Sequence, residues 1–105
     1  MLTYNKLVRD RIPDIIHDSG KYPVVRAVLS DEEYLTLLDE KLREEMLEYQ
    51  NDHNIEELAD LLEVIYAAAA AMGYTAEQLD AVREAKAAER GRFVNRCFLI
   101  GVTDK

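Results

Sequence analysis

The chain has 105 residues, 13 of them basic and 21 acidic, for a formal net charge of −8. One domain over residues 1–105 is the expectation from that length, and the acidic balance argues against a binder of nucleic-acid polymers, whose footprint is basic. An apolar share of 49% argues for a folded protein. The longest apolar run, residues 64–72, falls well short of the ~20 residues that span a bilayer, so no membrane partner is expected. Cys97 is the single cysteine, which excludes an intramolecular disulfide. With no charged-then-apolar leader at the start, the expected location is cytoplasmic.

Taken in chain order, Ile12-Pro13-Asp14-Ile15-Ile16 reads as a short helix with proline in its first turn, stopped near Gly20. Residues 24–29 are β-branched and read as a short strand. Ser30, Asn54 and Thr75 are each followed three residues later by Glu33, Glu57 or Gln78. That is the capping-box pattern, and it predicts helices over about 31–50, 55–72 and 76–90. Gly73 and Gly91 close the last two. Residues 93–100 read as a second short strand, in which Cys97 is expected to be a buried small hydrophobe. Two lone strands need each other, or a partner chain.

Leu35, Leu38, Leu42 and Tyr49 make a narrow apolar stripe on the first long helix, and Leu58, Leu61, Leu62, Ile65 and Met72 make one on the second. Only Asn51-Asp52-His53-Asn54 separates them, which predicts an antiparallel helical hairpin. The expected fold is all-α, an antiparallel helical bundle with two short β-strands near the ends. One hairpin and a third helix bury little, so self-association to a dimer or tetramer is expected to complete the bundle.

The chemistry gathers at the turn of that hairpin. Glu45 and Glu48 stand three apart near the end of one helix, and Glu57 and Asp60 three apart near the start of the next. Residues at i and i+3 share a helix face, so the two pairs converge at the loop end. Four carboxylates repel one another and call for a cation. An oxygen-only site favours a hard ion, Mg²⁺ or Mn²⁺. Ordinary helix chemistry offers another account of the same residues: Glu57 closing a capping box, and Lys41–Glu45 forming an i, i+4 ion pair.

Glu44-Glu45-Met46-Leu47-Glu48 followed by Glu57-Leu58-Ala59-Asp60 resembles the signature of the MazG-like, all-α nucleoside triphosphate pyrophosphatase superfamily. The opening Tyr4-Asn5-Lys6-Leu7-Val8-Arg9-Asp10-Arg11-Ile12-Pro13 and the closing Lys86-Ala87-Ala88-Glu89-Arg90-Gly91-Arg92-Phe93 resemble its phosphoribosyl-ATP pyrophosphohydrolase-like subgroup. The resemblance implies Mg²⁺ held by Glu45, Glu48, Glu57 and Asp60. It also implies hydrolysis of a nucleotide between its α and β phosphates, with Lys6, Arg9, Lys86 and Arg90 near the substrate phosphates. Only eight residues lie between Glu48 and Glu57, fewer than the family usually has, which leaves Glu44 and Glu63 as alternative ligands.

Hydrolysis of a phosphoanhydride needs positioning and charge neutralisation more than a strong nucleophile. Glu45, at the edge of the apolar stripe where desolvation raises basicity, is the candidate to orient or deprotonate the attacking water. Lys86 and Arg90 also suit the C-terminal end of a helix with no ligand at all. Tyr4 and Phe93 are more ordinary as core residues than as platforms for a base. A different class of function also fits the pattern: a non-catalytic helical dimerisation or regulatory module with a solvated acidic face.

Overall fold

Short polar side chains begin each long helix. In the computed structural model, which describes residues 1–104, the chain forms four helices: α1 (Ile12–Asp18), α2 (Asp31–Asp52), α3 (Ile55–Ala71) and α4 (Ala76–Arg90). Ser30 Oγ accepts from Glu33 N–H at 3.1 Å, Asn54 Oδ1 from Glu57 N–H at 2.9 Å, and Thr75 Oγ1 from Gln78 N–H at 3.1 Å. Each bond satisfies one of the amides that a helix start leaves without an intrahelical partner. Only the third start completes the reciprocal box, with Thr75 N–H donating to Gln78 Oε1 at 2.9 Å. At the first, the Glu33 carboxylate turns instead to the Arg26 guanidinium, in a fork of 2.9 and 3.1 Å.

α2 runs two residues further than its pattern predicts and leaves only His53 and Asn54 as the connection to α3. The chain reverses there because His53 adopts the left-handed conformation, φ 49° and ψ 47°. Its N–H donates to Tyr49 O at 2.7 Å, and its ring meets the Tyr49 ring edge-on at 5.1 Å. With so short a link, the last turns of α2 must lie beside the first turns of α3. Asn54→Ala removes the cap that starts α3 and is expected to cost about 1 kcal/mol. In a domain this small that lowers the unfolding midpoint by about 4–8 °C, measurable by circular dichroism. An unchanged midpoint would show that the cap does not hold the junction.

α2 packs mainly against α3, and α4 leaves α3 at a bend of 106° and touches it far less. The apolar core is correspondingly thin: Leu38, Val64 and Ala69 are the buried apolar residues among those described. α3 buries Val64, with Leu61 and Ile65 of its predicted stripe half-buried beside it, while Leu58, Leu62 and Met72 of that stripe remain 41%, 44% and 67% exposed. The radius of gyration is 18.4 Å, with extents of 66 × 31 × 22 Å, against roughly 13 Å for a compact domain of this length. No single helix among the described residues is long and apolar enough to cross a membrane.

The two expected strands are absent among the described residues. Residues 24–29 find no second segment to pair with, and a strand gains its stability from cross-strand neighbours. Residues 93–100 are interrupted by a turn, where Arg96 N–H reaches Phe93 O at 3.4 Å and Arg96 takes a positive φ of 57°. Cys97 is exposed rather than buried, and so are Tyr4 and Phe93.

Candidate metal centre

Glu45 is the one charged residue among the described ones to be as buried as the apolar core, with 7% of its surface exposed. It lies on the α2 face that holds Leu38, seven residues on, so packing against α3 buries both. Glu48 follows one turn later. The junction brings Glu57 and Asp60 of α3 alongside, and one carboxylate oxygen from each of the four acids lies within 4.8 Å of every other. Such a set offers oxygen ligands alone, the donor type of a hard divalent cation.

Glu57 separates the two accounts of this sequence. Its backbone N–H is taken by the Asn54 cap, yet its side chain does not close the box as Gln78 does in α4. Instead the Glu57 carboxylate turns into the cluster, where Oε2 is buried without a hydrogen-bond partner. Glu45 Oε2 is buried and unpartnered in the same way. Buried carboxylate oxygens are almost always satisfied, since each one left alone costs about 1–3 kcal/mol. Two from facing helices, both within the quartet, fit a site built for a cation.

The cluster's charge is only partly answered by the chain itself. Lys41 Nζ lies 3.4 Å from Glu45 Oε1 and 3.1 Å from Glu44 Oε2, so the expected i, i+4 ion pair is present and leaves the other Glu45 oxygen free. Arg9 Nη2 donates to Asp60 Oδ1 at 2.6 Å from an arm 51 residues away in sequence. Four carboxylates against these two cations leave two negative charges uncompensated. A single like-charge pair at 4 Å costs about 1 kcal/mol in water and about 4 at an effective dielectric constant of 20. Burial, reinforced by the neighbouring Glu48 carboxylate, accordingly pushes the Glu45 carboxyl above its ordinary value, against the pull of Lys41.

Glu44 takes a different part. It accepts from Lys6 Nζ at 2.9 Å and from Lys41 Nζ at 3.1 Å. Burial opposes its ionisation, yet the hydrogen bonds from Lys6 and Lys41 prevail and hold its carboxyl below the ordinary value. The same bond to Glu44 raises Lys6. Glu44 is therefore the anchor of two lysines and stands outside the four-carboxylate group, as does Glu63, which is exposed. Lys86 and Arg90 are exposed on α4, and among the described residues neither is ion-paired to the four acids. Lys41 is more than the i, i+4 partner of Glu45 that its sequence position suggests. Its spacing of three and four residues from Glu44 and Glu45 was the signal that it serves both.

Over 43 residues the chain is 58% identical to an uncharacterized protein of Mycolicibacterium smegmatis, a stretch covering 41% of this chain and 43% of that relative. The chain thus matches less than half the length of this relative. No family profile matches the chain, and no solved structure does.

Proposed function

We propose that the chain is a Mg²⁺-dependent nucleotide pyrophosphohydrolase, cleaving a nucleoside triphosphate or a phosphoribosylated nucleotide between its α and β phosphates. The observation that carries this reading is the pair of buried, unpartnered oxygens on Glu45 of α2 and Glu57 of α3, two members of one four-carboxylate group. Glu45, Glu48, Glu57 and Asp60 are the residues that would hold the ion, Mg²⁺ or equally Mn²⁺. Bound there, such an ion supplies charge neutralisation at phosphate oxygens and acidifies water.

The chain's own residues supply the rest. Glu45 orients the attacking water, since its burial withholds it from solvent and leaves an oxygen without another partner. Lys6 and Arg9 lie on the same side of the hairpin through their contacts with Glu44 and Asp60, and they address the phosphates beyond the acids. Lys86 and Arg90 belong to this set by the sequence resemblance, and self-association is the means by which a second copy's α4 would bring them near. Nothing in this set reads a base, so selectivity among nucleotides falls to the shape of the completed pocket.

The test is a panel of common and modified nucleotides incubated with Mg²⁺, with pyrophosphate and orthophosphate resolved. The expected products are a nucleoside monophosphate and pyrophosphate from at least one member. Orthophosphate with a diphosphate product would move cleavage to the β–γ bond and overturn the assignment. Turnover of no member would favour a helical dimerisation module with an acidic face.

A further inference from the structure

The arm preceding α1 has no regular structure, yet two ion pairs fasten it beside the acidic quartet. Lys6 binds Glu44 at 2.9 Å, just outside the group, and Arg9 binds Asp60 at 2.6 Å, inside it. Resting on the cation site proposed above, we infer that Arg9 is a resident counter-cation of that site and that a divalent cation displaces it from Asp60.

The contact is a single one, Nη2 to Oδ1, between side chains that are 55% and 39% exposed. It is thus neither the two-bond fork of a structural arginine–carboxylate pair nor a buried pair. The chain does form that fork elsewhere, between Arg26 and Glu33. In the metal-free protein the guanidinium relieves repulsion that Lys41, on the far helix, does not reach. A divalent ion among the same oxygens takes over that role with twice the charge, and it repels a guanidinium held on one of its ligands. Arg9 precedes α1 and lies in no helix; its backbone is held there by Ile12 N–H donating to Arg9 O at 3.0 Å, so the release concerns its side chain. Once free, Arg9 is available to an incoming polyphosphate. Cation binding and arm docking are then linked, and each weakens the other by the same factor.

Mn²⁺ binding, read by electron paramagnetic resonance of the free ion, tests the exchange in wild type, Arg9→Ala and Lys6→Ala. Arg9→Ala is expected to bind Mn²⁺ about tenfold tighter than wild type, by loss of one competing charge close to the ion. Lys6→Ala, whose partner lies outside the quartet, changes affinity far less. In wild type, saturating Mn²⁺ is expected to speed tryptic cleavage after Arg9, because its side chain is no longer held. Equal or weaker binding by Arg9→Ala, an equal gain in Lys6→Ala, or cleavage after Arg9 indifferent to Mn²⁺ overturns the exchange. Binding that is present but insensitive to Arg9 leaves the cation site standing and removes only its exchange. No binding by wild type and Arg9→Ala alike removes both.

Discussion

Glu45→Gln is expected to raise the unfolding midpoint of the metal-free protein while removing its Mg²⁺ binding and its activity. The two effects have one cause. In the absence of a cation, the Glu45 carboxylate is buried beside Glu48 with one oxygen unpartnered. A neutral amide of the same shape relieves that repulsion, a gain on the order of 1 kcal/mol, or a few degrees in a domain of this size. With the cation, the same charge is the ligand, and its loss forfeits several kcal/mol of charge stabilisation, or about 100-fold or more in rate. Asp60→Asn is expected to lose activity likewise, but without the gain in stability, because Asp60 is the carboxylate that pairs with Arg9, whereas Lys41 keeps Glu44 when Glu45 is neutralised. Melting curves with and without Mg²⁺, alongside pyrophosphate release, separate the two effects. Wild-type activity in either variant, or undiminished activity in excess chelator, would contradict the site.

The wild-type chain is expected to run at twice its 12.0 kDa mass or more, and Leu62→Asp is expected to reduce it to a monomer. α3 carries Leu58, Leu62 and Tyr66 at i, i+4 and i+8, and they are 41%, 44% and 39% exposed along one line. That line is a second apolar face, beside the one that buries Val64. Covering what remains exposed of such side chains contributes about 1 kcal/mol each, and a two-fold interface counts every substitution twice. Light scattering at micromolar concentration reads the result. A monomeric wild type would leave the leucine face without this role, and an unchanged mass for Leu62→Asp would place the interface elsewhere.

Much of this protein could be read without its structure because its helix starts are local. Ser30, Asn54 and Thr75 each bond an amide three residues away, so sequence spacing alone places them. The Glu45, Glu48, Glu57 and Asp60 grouping was legible for a related reason. Two i, i+3 pairs flank a link too short to let them part. Four matters lay beyond that reach. Local pattern gave all five residues of the α3 stripe equal standing, but in the fold Leu61 and Ile65 are half-buried beside Val64 while Leu58, Leu62 and Met72 stay exposed, since burial depends on the partner's surface. Residues 24–29 and 93–100 have strand composition, but a strand needs a neighbour, and tertiary structure supplied none. Arg9 meets Asp60 across 51 residues, and Glu57 turns its carboxylate inward although its sequence equally suits a closed capping box. Sequence determined which groups stand within a few residues of one another; only the folded chain decided which surfaces and charges meet through space, because those contacts depend on how helices pack rather than on spacing along any one of them.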